Sequence, residues 1–292
     1  MAEQNVTMND QQLTQALQKS RGRRLAGTLL LVLGAALIGV GILLSGSVVM
    51  IVLGAVLGGV GQLVRDKAKG QAHQQAFDAM APDLLGELFD DVDTKPAVHL
   101  LNVEDTNIPL PSHSYCAGTG YVRAAYRGLP LELCTVTLTD TDDVYREETG
   151  MWERNEHPVY TGQWLVCELG VQFPTGLTFW PRGKLDGLLR FPAVKTENEV
   201  FNKRFSLSCD NEQWALRFLD RSRMERLRQL MDGAFAPFSV CLRKDGRLYI
   251  AVNSGRGFFD AGKGRETPEQ LRRRFAGELR WFTGMIDAFR PV

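Results

Sequence analysis

The side chains best equipped for chemistry are four histidines, five cysteines and two arginine-rich stretches, and their spacing limits what each can do. His113 and Cys116 stand three apart, which is half of a zinc site. No second pair follows at a ligand spacing, and neither a metal nor another cofactor is expected. Cys116, Cys134, Cys167, Cys209 and Cys241 are odd in number and scattered, which suits a reducing compartment better than a disulfide framework. Ser254-Gly255-Arg256-Gly257 and Gly262-Lys263-Gly264 follow a hairpin and open no helix from a parallel strand, so they read as turns and not as phosphate cradles. No Walker lysine motif, dinucleotide-binding glycine fingerprint, His-Glu-x-x-His or Gly-x-Ser-x-Gly occurs. Asp140 to Glu156 carries seven acids against two arginines, with Met151 and Trp152 near its end. Without the alternating spacing of a calcium loop it reads as a solvated acidic insertion.

Arg217, Arg221, Arg223, Arg226 and Arg228 gather around one helix start and form the candidate face for lipid or a partner; Arg272, Arg273, Arg274 and Arg280 decorate a second helix. Near an anionic leaflet each basic residue gains about 1 kcal/mol. Asp220, Glu225, Glu269 and Glu278 are interleaved with them, so an ordinary solvated face fits the same pattern. The formal net charge is zero, which argues against a nucleic-acid partner.

The elements that carry these residues begin with two uncharged apolar runs, Leu25 to Leu44 and Val48 to Val64, joined by Ser45-Gly46-Ser47. As helices they span roughly 30 and 25 Å against a hydrocarbon core of about 30 Å, which predicts a transmembrane hairpin over 25–64. Lys19, Arg21, Arg23 and Arg24 precede it and Arg65, Lys67 and Lys69 follow, so the positive-inside rule places both termini in the cytoplasm. Gly54 with Gly58, and Ala35 with Gly39, are small pairs four apart that suit close helix packing, within the hairpin or between copies, so a homo-oligomer stays open.

Residues 1–24 form a polar leader. Residues 65–96 read as a helical connector, interrupted at Pro82, with Asp90 to Pro96 as linker. The remainder, 97–292, reads as an antiparallel-sheet-rich α+β domain with packed helices. Val98 to Val103, Gly120 to Tyr126, Leu129 to Leu138, Tyr160 to Leu169, Gly176 to Phe179 and Arg204 to Cys209 are its expected strands. Val136 and Leu138 change the parity begun by Leu131 and Leu133, which requires a bulge or two covered faces. Asp210 with Gln213 and Ser222 with Glu225 resemble capping boxes, as does Thr267 with Gln270 ahead of a stripe from Leu271 to Phe289. Between Phe238 and Val252 a three-residue Lys244-Asp245-Gly246 loop pairs Leu242 with Leu248 and gathers the aliphatic residues on one face.

Tyr121-Val122-Arg123, Gly128-Leu129-Pro130-Leu131-Glu132-Leu133, Tyr160-Thr161-Gly162-Gln163-Trp164, Phe201-Asn202-Lys203-Arg204-Phe205, Met224-Glu225-Arg226-Leu227 and Arg247-Leu248-Tyr249-Ile250-Ala251 follow one another in an order that resembles a bacterial family of membrane proteins. That family is defined by a domain of unknown function, number 3137. The likeness covers roughly Tyr121 to Asp260, extends to the hairpin, and carries over no catalytic residue. It implies a cytoplasmic domain anchored in the bacterial inner membrane. The expectation is a binding or scaffold module acting on a membrane or cytoplasmic protein, or on anionic lipid. The alternative is a membrane-associated enzyme whose site assembles only in the fold, with Asn202, Lys203, His113 and Asp245 as its nameable candidates.

Overall fold

The computed structural model describes residues 2–43, 47–146, 150–183, 193–262 and 266–291. The chain divides into two compact units, Met1–Leu84 with Phe259–Phe275, and Leu85–Phe258 with Ala276–Val292.

The first unit is built on two helices, α1 (Ala2–Leu43) and α2 (Val48–Leu88). Their segments Gln18–Leu43 and Val48–Ala68 are long and apolar enough to cross a membrane. The polar leader is therefore a continuation of α1. Leucine and valine point outward along both helices, Leu43 being 84% exposed, while Gly27, Gly34, Gly41, Gly54 and Gly61 are buried. A Cβ on Gly27 would meet the Gly61 carbonyl at 2.7 Å, and one on Gly34 the Gly54 carbonyl at 2.5 Å. The seam thus repeats every seven residues, Gly27, Gly34 and Gly41 against Gly54 and Gly61, and Ser20 and Ala68 extend it as buried residues. Gly58 shares the close approach through its backbone, its N lying 2.8 Å from where a Gly34 Cβ would stand, while a Cβ on Gly58 itself would meet only Leu31, at 4.0 Å. Gly39 has nothing within 4 Å and Ala35 is exposed, so that pair plays no part in the packing.

Pro82 does not end α2. Its ring removes one backbone bond and points to solvent, while Met80, Ala81, Leu84 and Leu85 are buried on both sides of it and hold the helix together. Within the same unit Phe77 meets Phe259 edge to face at 5.4 Å, and Arg274 donates to Glu266 and to the Asp260 carbonyl.

The second unit is a nine-stranded sheet, antiparallel throughout: β1 (Asp90–Asp93), β2 (Tyr115–Tyr126), β3 (Leu129–Arg146), β4 (Met151–Glu168), β5 (Leu177–Pro181), β6 (Ala193–Val194), β7 (Phe205–Cys209), β8 (Phe238–Leu242) and β9 (Arg247–Val252), in spatial order β1-β2-β3-β4-β9-β8-β5-β7-β6. Asp90 to Asp93 is thus an edge strand and not a linker. Arg127 and Gly128, both at positive φ, make the tight turn between β2 and β3. Of the two expected causes, the parity change of β3 has the second: both faces are covered, with Leu131, Glu132, Leu133 and Cys134 buried in succession, while the bulge, at Gly120 with φ 63, lies in the neighbouring β2. The β8–β9 turn pairs Leu242 with Leu248, Val240 with Ile250 and Phe238 with Val252, with Gly246 at φ 87.

One face of this sheet carries α3 (Glu199–Arg204), α4 (Glu212–Phe218), α5 (Arg221–Asp232) and the C-terminal part of α6 (Pro268–Phe289). Phe179 is the hub, with ring centroids 5.3 to 6.2 Å from Phe201, Phe205, Phe238 and Phe289. Two caps differ from their expected positions. Asn211, not Asp210, accepts from Trp214 N, and Asp220, not Ser222, accepts from Arg223 N, because only these side chains stand on extended backbone three residues ahead of a free amide. Thr267 and Gln270 do close a reciprocal box at the start of α6.

Candidate functional site

Among the described residues of this unit, no α-helix packs in the core on the opposite face of the sheet. Residues 97–113 cross it as an irregular strap with one 3-10 turn, Val103–Asp105, where a strand was expected. The reason lies in the hydrogen bonds. Leu100 N donates to both carboxylate oxygens of Glu132 at 3.2 Å and Leu101 N donates at 3.1 Å, so the strap's amides go to a side chain and not to a neighbouring strand. Glu132 is fully buried, with His99 Nδ1 3.5 Å from its other side, and His99 stacks on Tyr121 at 3.7 Å. Leu101, Val103 and Ile108 then pack on Cys134, Val136, Leu138, Trp164, Tyr249 and Ala251. Trp164 Nε1 donates to the Tyr160 hydroxyl at 2.9 Å. Burial holds that hydroxyl protonated far above the ordinary phenol range.

Two clefts flank the strap. The first, about 310 Å³, is lined by Asp105, Asn107, Thr178, Ser208, Asp210, Cys241, Arg243 and Lys244 among others, so both signs of charge meet hydroxyls in it. Arg243 donates to the Asp105 carbonyl at 2.6 Å and lies 3.3 Å from Asp245, and Arg247 reaches Asp105 and Glu168. Cys241 is pushed up by burial and stands as a neutral thiol. The second cleft, about 230 Å³, has a wall of prolines (Pro109, Pro111, Pro181 and Pro237) with Trp180, Tyr160 and Asn253. The first arrangement can hold a small polar molecule by charge and hydrogen bonding, the second an apolar one by contact.

The structure scatters the residues named from sequence. Asn202 clamps Thr196, taking its N–H at 3.0 Å and donating to its carbonyl at 2.6 Å. Lys203 pairs on the surface with Glu199, His113 is exposed beside the Pro111 carbonyl, and only Asp245 lies near a cleft. His113 and Cys116 gain no further ligands; among the described residues no group of three metal-binding side chains forms. Ser254 to Gly257 is a turn, as expected, closed by Ser254 Oγ donating to the Arg256 carbonyl.

The five arginines of α4 and α5 do not present one free face. Arg223 is half-buried and donates to the carbonyls of Ala288 and Phe218, and Arg228 is held by Glu225 and Asp232. The hydrogen bond from Arg228 holds the Glu225 carboxyl below the usual range. Arg217, Arg221 and Arg226 are exposed, as is Leu216. What sequence reasoning missed is Glu132, whose signal is a lone acid inside an apolar strand, and the form of residues 140–146 and 151–156, which extend β3 and β4 as a ribbon.

The class is therefore an α+β protein in which two apolar helices precede an antiparallel sheet domain. Residues 158–290 match the model of a family described as a protein of unknown function (DUF3137), the family that the sequence resembles. The match runs from the middle of β4 to the end of α6 and leaves out the ribbon and the strap. No curated protein and no solved structure matches the chain.

Proposed function

We propose that this protein is a membrane-anchored binding or scaffold module without chemistry of its own, held in the bacterial inner membrane with both termini in the cytoplasm, and acting on a membrane protein or on anionic lipid. The observation that carries this reading is the apolar mantle of the helical hairpin. The helices spend their glycines on each other and turn leucine, valine and isoleucine outward along Gln18–Leu43 and Val48–Ala68, a surface that water does not tolerate and lipid does. Exposed Lys19, Arg21, Arg23, Arg65 and Lys67 sit in the outermost turns of those two segments, at the ends away from residues 43–48, which supports the orientation. The test is crosslinking of the full chain in native membranes after an alkaline wash. Retention in the washed membrane and a discrete crosslinked protein or lipid support the reading; release by the wash refutes the anchor. An enzymatic alternative is favoured only by the polar cleft at Asp105, Thr178 and Arg243, and turnover that Thr178→Val abolishes would establish it.

A further inference from the structure

Beyond the sheet, β3 and β4 continue alone. β2 stops pairing at Tyr115 opposite Thr139, and β9 pairs with β4 only from Gln163 onward. Seven facing pairs, from Asp140 with His157 to Arg146 with Met151, therefore form a two-stranded ribbon that projects about 20 Å. Neither edge of that ribbon has a third strand among the described residues. A two-stranded ribbon is marginal by itself in water. Its end also exposes apolar side chains, Tyr145 and Trp152 on one face and Val144 and Met151 on the other. Tyr145 and Trp152 face each other with centroids 5.3 Å apart, and Val144, Met151 and Trp152 are 47, 66 and 69% exposed.

Resting on the binding-module reading above, we propose that this ribbon is a docking arm for an extended, lysine- or arginine-bearing segment of a protein partner. The segment pairs along an open edge as a third strand and sets an apolar side chain on the Tyr145–Trp152 pair. Strand addition supplies the backbone bonds that the edges lack, and side chains alternating along the segment supply specificity. Charge selects the occupant. Seven acids against two arginines between Asp140 and Glu156 attract a cationic segment, repel the same arm on a second copy, and disfavour an anionic bilayer.

The test uses the full chain in nanodiscs and four probes: an eight-residue alternating valine–lysine peptide, its valine–glutamate counterpart, the lysine peptide methylated on alternate backbone nitrogens, and vesicles carrying a spin-labelled lipid that quenches tryptophan. The lysine peptide is expected to bind, and the glutamate peptide to fail. Methylation, which keeps the charge and blocks strand pairing, is expected to weaken binding at least about tenfold. A chain in which a two-residue Asn-Gly turn replaces residues 141–156 keeps its membrane retention and loses the peptide; Trp152→Ala weakens it. Equal binding of the methylated peptide, binding undiminished by removal of the arm, or quenching of Trp152 by the lipid overturns the proposal. A partner still crosslinked by the arm-deleted chain in native membranes would leave the binding-module reading standing while this one fell.

Discussion

Glu132 is where the strap can be released without touching either cleft. Its carboxylate takes the amides of Leu100 and Leu101 in a fully buried setting. Glu132→Ala leaves both donors without an acceptor, at about 1–3 kcal/mol each, and removal of a buried charge offsets part of that. A net loss of roughly 3 kcal/mol in the local opening of the strap follows, which at 1.4 kcal/mol per decade means exchange of those two amides about a hundredfold faster. Glu132→Gln keeps one acceptor oxygen and loses the other, so it should fall near tenfold. Hydrogen exchange of the full chain in detergent, followed in peptides covering residues 99–103, reads both. Unchanged protection at Leu100 and Leu101 in the alanine variant would refute the claim that this side chain, and not packing of Leu101, Val103 and Ile108, holds the strap.

The remaining expectations are simpler to state. Gly34→Leu and Gly54→Leu should lower the thermal midpoint of the detergent-solubilised protein by several degrees, and Gly39→Leu should not, since only the first two face a carbonyl within 3 Å. Phe179→Ala should destabilise the sheet unit by about 3–5 kcal/mol in a urea titration, more than Phe235→Ala, whose ring is half-buried. Among the five thiols, maleimide at pH 7.5 should modify Cys116 alone in the native protein, as it is the exposed one. Burial pushes Cys167 up to about 12. Its thiolate forms at lower pH in the unfolded chain, so above pH 9 each unit of pH should cost the folded state about 1.4 kcal/mol from this group until pH 12 is reached. Cys167→Ala should remove that share of the alkaline slope in denaturation midpoints.

Local chemistry was legible in the sequence wherever one residue type answers one geometric demand. Gly246 announces the β8–β9 turn, Thr267 with Gln270 the start of α6, and alternation in Phe205, Leu207 and Cys209 a half-buried strand. Elements were lost where the partner is distant in sequence. Val98 to Val103 has a strand's composition, and only Glu132, some thirty residues on, diverts its amides. Asp140 to Glu156 has a loop's composition, and only the register inherited from β3 and β4 makes residues 140–146 and 151–156 a ribbon. The helix seam escaped because a four-residue spacing of glycines is the familiar signal, whereas this pair keeps a seven-residue one. The two clefts were illegible for the same reason as the strap. Their linings come from four and five separate segments, none of which carries a motif.

That seven-residue spacing also gives the hairpin a mechanical property. A repeat of seven keeps the glycines in line only if the helices wind gently around each other with a left-handed twist, and the close approach then holds at one register alone. Sliding α1 along α2 by a single residue would put Ala26 and Leu33 where Gly27 and Gly34 now face the carbonyls of Gly61 and Gly54. The two helices are therefore keyed like a splined shaft. A push or a turn applied to one is delivered whole to the other, and the pair behaves as one stiff post, not two independent rods.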